Sequence, residues 1–330
     1  GDGLVVRAGD LRFAWQPLAL LQRRLRFTEL AIAQLEIDDQ RPASEPEPPP
    51  EVVLPLALEL PFSVGRVRLL RPSPVDVTEL AGRYRFSDNR HQLQLDTLAL
   101  AQGRYAGQLH LQARAPMTLD LQLHGTLAAP VGRDRTVPLE ASATLRGTLA
   151  GAGAQLDLLA QLQPAPEASA GATPPSRAMR ATVSAQIRPW ASQPIVRAQS
   201  TFTHLDLAAV WPTAPRTQLT GSALVRPIGS DWLVDFNLVN RLAGPWDKGQ
   251  LPLDSAKGLV ELADARWSVQ SLSAETGGGR IRLQGTLADP SRLSVDSGWE
   301  GVLQVQGVDP ARLHSRLAPA RPTACAARRG

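Results

Sequence analysis

The stretch that decides the fold is Leu119-Asp-Leu-Gln-Leu-His-Gly-Thr-Leu127, in which every second residue is a leucine or a glycine. Its closing phrase, Leu-x-Gly-Thr-Leu, recurs at Leu145–Leu149 and Leu283–Leu287, with looser copies at Leu219–Ala223 and Val305–Val308. Successive side chains of a β-strand point to opposite faces, so each copy predicts a strand with one apolar and one polar face. Four glycines fall in the apolar row, where we expect them to let the sheet curve: Gly125, Gly147, Gly221 and Gly285.

The same alternation continues over most of the chain and is interrupted by turn signals. Examples are Leu56–Leu60, Leu93–Leu95 and Leu109–Leu111, and Pro, Gly or Asp-Asn pairs separate such segments. Alternating segments at intervals of about 8–12 residues favour an antiparallel all-β fold.

Brief helices are expected between some of the strands. Pro17 precedes the first, Leu18–Arg24, and Asp206 and Asp309 precede two others. A carboxylate in that position accepts hydrogen bonds from the free backbone N–H groups of the first helical turn.

An apolar sheet face can be covered by a second sheet, closed into a barrel, or left inside an open, curled sheet. A lipid-facing barrel requires aromatic girdles, and this chain has 2 Tyr and 28 Pro. Sandwiches usually place bulky aromatics between their sheets, and aromatics make up 5% of this chain. We therefore predict an all-β fold: a long antiparallel sheet, open, curled and twisted into a groove, with short crossover helices and Pro-rich loops.

Composition shifts divide the chain into six segments. They are an early strand–helix–strand unit (1–40), a Pro-rich loop (41–51), a first groove segment (52–163), a Pro/Ala-rich loop (164–177), a second groove segment (178–317) and a disordered tail (318–330).

The totals exclude several classes of protein. A hydrophobic content of 43% excludes wholesale disorder, and the single Cys325 excludes an internal disulfide. The net charge of +4 comes from arginines spread along polar faces, which does not indicate a nucleic-acid site. The dense cluster Arg23–Arg26 beside an apolar helix face could contact anionic headgroups, although a simple amphipathic crossover is the favoured interpretation.

Reactive constellations are not evident, so we expect no catalytic residue, no metal and no cofactor. None of the five histidines has a neighbour at metal-ligand spacing, and His110 and His124 occupy polar positions of their strands. Gly277-Gly-Gly279 is followed by a strand and predicts a hairpin turn instead of a phosphate cradle. Trp15, Trp211 and Trp246 are expected to anchor strand ends.

A groove lined by aliphatic side chains suits hydrocarbon. Burial of each CH₂ contributes roughly 0.8 kcal/mol, so a few methylenes would hold an acyl chain and still let it slide. The residues expected to line this lipid groove are Leu93, Leu95, Leu109, Leu111, Leu119, Leu121, Leu123, Leu145, Ile281 and Leu283.

Several phrases in order resemble the translocation and assembly module family, TamB, within the wider AsmA-like group. The resemblance extends to about Leu317 and is strongest over His204–Gly285. It rests there on Asp206-Leu-Ala-Ala, Pro215-Arg-Thr-Gln-Leu-Thr-Gly221, Asn240-Arg-Leu-Ala-Gly-Pro-Trp246 and Gly277-Gly-Gly-Arg-Ile-Arg-Leu-Gln-Gly285. The opening Leu11-Arg-Phe-Ala-Trp15 is similar to the family's early strand–helix–strand unit.

The resemblance implies a periplasmic protein, anchored in the inner membrane, whose β-groove conducts phospholipid toward the outer membrane. It also implies a role in the assembly of outer-membrane and autotransporter proteins beside a barrel partner of the TamA type. The N-terminal anchor and the partner-binding C-terminal region of the family are expected to lie outside these 330 residues. The alternative is a structural or adhesive β-repeat protein with a self-packed core.

Overall fold

A computed structural model describes residues 3–40, 47–71, 75–100, 103–131, 135–165, 179–210, 214–263, 266–288, 299–319 and 324–329. The strands are β1 Leu4–Trp15, β2 Arg24–Asp39, β3 Ala57–Leu69, β4 Val75–Ser87, β5 Arg90–Leu100, β6 Gly103–Gln112, β7 Thr118–Val131, β8 Arg135–Thr148, β9 Gln155–Pro164, β10 Arg180–Ile187, β11 Ile195–Leu205, β12 Leu219–Ile228, β13 Asp231–Asn240, β14 Ser255–Ala263, β15 Arg266–Thr276, β16 Gly279–Ala288, β17 Trp299–Gln306 and β18 Ala324–Arg329. Helices among these residues are short: α1 Leu207–Val210, α2 Pro310–Leu313, and two 3₁₀ helices, Pro17–Gln22 and Trp246–Lys248.

The strands belong to a single open, twisted sheet, which confirms the predicted all-β fold. Strands that follow one another in the chain pair antiparallel from β3 to β7 and from β11 to β18, and β1 pairs antiparallel with β2. One pair differs from the expectation, because β2 and β3 are parallel, with Ile32 opposite Val64. The connection between Asp39 and Ala57 has the length that a parallel crossover requires.

The chain divides into two compact units. Unit 1 comprises Gly1–Ala128, Glu140–Ala160 and Gln186–Pro194, and unit 2 comprises Ala129–Leu139, Gln161–Ala185 and Ile195–Gly330.

Several predicted turns and caps are present. Asp88 and Asn89 join β4 to β5 with φ values of 53° and 55°, and Gly277 and Gly278 join β15 to β16 with 58° and 77°. Two successive positive φ values match the twist of a tight hairpin, so Gly277–Gly279 forms a turn as expected.

The helix caps also agree with the sequence. Asp206 Oδ1 accepts a hydrogen bond from Ala208 N at 3.1 Å, and Asp309 Oδ1 accepts one from Ala311 N at 3.0 Å. The first predicted helix is instead a 3₁₀ helix, Pro17–Gln22, which Arg23 ends with a left-handed φ of 54°.

Bulges keep apolar residues on one face where the sequence spacing changes from two residues to three. In unit 1, Val64 of β3 lies opposite Leu80 of β4, and Val67 lies opposite Val77. Both strands thus shift their alternation at the same level, and Glu79 has the left-handed φ of 53° that a bulge favours. The apolar rows therefore stay continuous across the shift.

The prediction of a disordered tail is wrong for Ala324–Arg329, because this segment forms β18 and pairs with β17. Strand pairing uses backbone groups, so a segment without apolar alternation can still extend a sheet at its edge. Other predictions lie outside the described residues: the Pro-rich loop at 41–46, most of the Pro/Ala-rich loop (166–177) and Trp211.

Candidate lipid-binding face

Seven of the leucines expected to line a groove lie side by side on β5, β6 and β7. The register places Leu93 opposite Leu109, and Leu109 opposite Leu121, so one row of leucines crosses the three strands. The flanking rows contain the other four: Leu95, Leu111, Leu119 and Leu123. We call these seven residues the leucine face of unit 1.

Each side chain of the leucine face of unit 1 is half-buried. Residues directly opposite one another on paired strands touch through their side chains, which accounts for the buried fraction. A leucine inside a closed two-layer core is usually fully buried, as Leu139 is in unit 2 with 1% exposure. The row through Leu93, Leu109 and Leu121 therefore keeps apolar surface accessible. Leu145, on β8 of unit 1, is half-buried as well.

The remaining two predicted lining residues lie in unit 2, on β16. Leu283 is opposite Leu272 of β15 and Leu303 of β17, and Ile281 is opposite Val305. All five side chains are half-buried, and we call them the leucine face of unit 2. The predicted lining residues thus form one set in each unit.

The glycines of the leucine rows stand where a neighbouring strand comes close. A Cβ on Gly125 would lie 2.3 Å from the carbonyl oxygen of Arg104, and a Cβ on Gly221 would lie 2.1 Å from that of Asn237. Each Cβ would project on the apolar side, so the neighbouring backbone rises toward that side. A side chain at either position would therefore collide with the backbone of the neighbouring strand.

Gly147 and Gly285 add a backbone requirement to the same crowding. Their φ values are 150° and 153°, a region that is essentially restricted to glycine. An added Cβ would lie 1.9 Å from the carbonyl oxygen of Gln155 at Gly147, and 2.2 Å from that of Glu300 at Gly285. Two of the three copies of Leu-x-Gly-Thr-Leu thus require glycine at their third position by backbone conformation as well as by space.

Aromatic residues lie opposite Gly125, Gly221 and two further glycines of the sheet, a pairing that the sequence did not indicate. The cross-strand pairs are Phe62–Gly82, Tyr105–Gly125, Phe202–Gly221 and Phe236–Gly258. A Cβ on Gly82 would lie 3.1 Å from Cζ of Phe62, so this ring occupies the space of the missing side chain. For two of the pairs the sequence held a usable signal, because Phe62 and Tyr105 share the alternation of the leucines in their own strands.

His91 closes one margin of the leucine face of unit 1, a role that the sequence did not indicate. Its side chain is buried between Phe86, with ring centroids 4.7 Å apart, and the chain at Val52. His91 Nε2 donates to the carbonyl oxygen of Val52 at 2.6 Å, and Nδ1 forms a hydrogen bond with the hydroxyl of Tyr84 at 2.6 Å. A carbonyl oxygen can only accept, so Nε2 of His91 carries a proton.

The chain before β3 is fixed over this margin by a second contact. Val52 N donates to the carbonyl oxygen of Ala113 at 2.8 Å. The partial burial of Tyr84 raises the pKa of its phenol, which keeps the hydroxyl that contacts His91 protonated.

The opposite side of the sheet is polar and carries ion pairs across strands. Arg66 Nε of β3 donates to Asp76 Oδ1 of β4 at 2.9 Å, and this hydrogen bond lowers the pKa of Asp76. Arg104 and Glu79 form a similar exposed pair at 3.0 Å. His110 and His124 are exposed, in agreement with the prediction that they are solvated.

The two faces offer different chemistry to a ligand. The row Leu93, Leu109 and Leu121 has no polar side chain, so it can supply dispersion contact and removal of hydrocarbon from water. In the described part of the chain, no three His, Cys, Asp or Glu side chains are grouped as metal ligands would be. Cys325 lies on β18 opposite Val305.

Among the helices of the described residues, none has the length and apolarity needed to span a bilayer. No family model, curated protein or solved structure matches the chain.

Proposed function

We propose that the leucine faces bind phospholipid acyl chains and that the protein is a non-enzymatic lipid carrier. The observation that carries this proposal is the half-burial of the seven leucines from Leu93 to Leu123, which lie side by side on three paired strands. A water-soluble protein rarely leaves a large contiguous apolar surface without a ligand or partner to cover it.

The chemistry of the surface favours a ligand that is held weakly and without orientation. Five buried methylenes contribute about 4 kcal/mol, which corresponds to a dissociation constant of about 1 mM. A bound chain would therefore exchange readily between neighbouring leucine rows. Because the rows offer no hydrogen bond, the acyl chain and not the headgroup is the recognised part.

The wider role that we propose rests on the resemblance to the TamB family. In that role the protein is a periplasmic bridge, held at the inner membrane, that carries phospholipid to the outer membrane. It would support the assembly of outer-membrane and autotransporter proteins beside a TamA-type barrel. No metal or cofactor takes part in this proposal.

The alternative is a structural or adhesive β-repeat protein whose apolar faces pack against its own chain. The partial exposure of the leucine rows favours the lipid carrier, because self-packing would bury them fully.

Photo-crosslinking separates these two functions. A photoreactive residue at Leu121 lies on the leucine face, and one at Gln122 on the same strand lies on the polar face, which makes it a matched control. Lipid adducts at Leu121 and not at Gln122 would support the carrier. Protein–protein adducts within the chain at Leu121, without any lipid adduct, would refute it and favour the self-packed alternative. Leu283 and Gln284 provide the same comparison for unit 2.

A further inference from the structure

The 3₁₀ helix Pro17–Gln22, which follows β1 in unit 1, exposes two leucines at one point. A 3₁₀ helix has three residues per turn, so Leu18 and Leu21 lie above one another on the same face. They are 77% and 85% exposed, and this helix contains no buried residue. We call residues Pro17–Gln22 the leucine tip.

This exposure is inconsistent with a simple amphipathic crossover. A crossover helix packs its apolar face on the sheet that it connects, and the sequence predicted that arrangement. Trp15, which directly precedes the leucine tip, is also 40% exposed. The apolar residues of this segment therefore contact solvent in the isolated chain, which is costly unless another apolar phase covers them.

The surroundings of the leucine tip are cationic. Arg23 and Arg24 follow it directly, are exposed, and form no ion pair with any residue that the structure describes. Arg26, two positions further, pairs with Glu59 at 3.2 Å. The cavity beneath the tip adds Arg85 and Asp88. The leucine tip itself contains no acidic residue.

We propose that the leucine tip inserts into the interfacial layer of a bilayer that contains anionic lipids. Leu18 and Leu21 enter the acyl boundary, while Arg23 and Arg24 contact the phosphate groups at headgroup level. Apolar side chains combined with flanking cations bind such surfaces through both burial and charge. A second copy of the chain fits less well, because a stable dimer needs an interface of about 800 Å² per partner, far more than two leucines provide.

The proposal does not depend on acyl-chain binding by the leucine faces. It concerns contact with an intact membrane surface, and the leucine tip lies on a separate element from β5–β7. A failure of lipid crosslinking at Leu121 would thus leave this inference unaffected. A failure of the leucine tip to bind vesicles would likewise leave the proposed acyl-chain binding unaffected.

Vesicle flotation tests the inference with the full chain. The vesicles contain phosphatidylcholine alone, or phosphatidylcholine with 30% phosphatidylglycerol. The variants are wild type, Leu18→Asp/Leu21→Asp, Arg23→Glu/Arg24→Glu, and the control Ile228→Asp, which changes another exposed residue beside a turn, 43% exposed, in unit 2. Thermal unfolding checks that each variant folds, and sedimentation measures self-association.

The inference requires wild type and Ile228→Asp to bind the anionic vesicles, with binding reduced about tenfold or more in each double variant. Raised salt should weaken wild-type binding, because the charge contribution is screened. Three results would overturn it: no wild-type binding to either vesicle, full binding by Leu18→Asp/Leu21→Asp, or a wild-type dimer that this variant dissociates. An environment-sensitive dye at Leu21→Cys in a Cys325→Ser background must report an apolar phase on vesicle addition, and an unchanged spectrum would refute insertion.

Discussion

Replacing Gly285 by alanine should destabilise unit 2 strongly, although it adds one methyl group. The φ of Gly285 is 153°, and the new Cβ would lie 2.2 Å from the carbonyl oxygen of Glu300 and 2.6 Å from Cα of Gly301. Both contacts are with the backbone of β17, so β16 and β17 must separate by about 1 Å to reach an ordinary contact distance of about 3.4 Å. The backbone conformation costs about 1–3 kcal/mol. One or two weakened ladder hydrogen bonds add about 1–2 kcal/mol, which gives about 2–5 kcal/mol in total.

Two control glycines separate the causes of this loss. Gly229 has a left-handed φ of 58° and open space at its Cβ position, so Gly229→Ala measures the cost of a positive φ without any crowding. Gly153 has open space and no positive φ, so Gly153→Ala should change stability by less than about 0.5 kcal/mol.

The measurement is urea unfolding followed by tryptophan fluorescence. Trp267 and Trp299 lie opposite Leu287, two residues from the substituted position, and report on this part of the sheet. If Gly285→Ala unfolded at the same urea concentration as Gly153→Ala, the result would refute the argument that the backbone of β17 occupies the space of a side chain at position 285. A loss of unfolding free energy no larger than that of Gly229→Ala would show that crowding against β17 contributes nothing.

Three further predictions concern other contacts. His91→Leu should lower the free energy of unfolding in urea by about 2–4 kcal/mol, because it leaves the Tyr84 hydroxyl and the Val52 carbonyl without their partner. The control is His110→Leu at an exposed position. Equal losses of stability in the two variants would contradict the structural role given to His91. Hydrogen bonds from Ser315 hold the pKa of Asp247 at about 2, below its ordinary value of 3.8. The ionised carboxylate therefore stabilises the folded state above about pH 4, and this stabilisation is lost as the pH falls through 2. Thermal unfolding against pH should therefore show a smaller acid loss for Asp247→Asn than for wild type, and identical profiles would count against the contact. Leu121→Arg should abolish lipid co-purification, measured by mass spectrometry, while Gln122→Arg retains it; equal lipid content in both would argue against acyl-chain binding at this face.

Much of the sheet could be predicted because its signal is local. The alternation of Leu119–Leu127 fixes which side chains share a face, and that grouping survives whatever the neighbouring strand is. The caps at Asp206 and Asp309 and the turn at Gly277–Gly278 depend on a few adjacent residues, so they too were predictable.

Features that depend on strand partners could not be predicted. The parallel pairing of β2 with β3 is set by which edge the returning chain meets, and alternation is the same for either direction. The partners of His91 lie at Val52 and Tyr84, and the aromatic–glycine pairs depend on register between strands. A spacing of three, as between Val64 and Val67, resembles a broken strand until the matching bulge on the neighbour is known.

That matching bulge has a consequence for how the protein can change during evolution. In both β3 and β4 the alternation of apolar and polar residues changes parity once. The change lies between Val64 and Val67 in β3 and near Glu79 in β4. Deleting one residue there would turn half of β4 over and place Tyr84 and Phe86 among the arginines, unless β3 lost a residue at the same level. An insertion or deletion in this part of the sheet should therefore be accompanied by a matching one in the neighbouring strand, at the residues that pair with it.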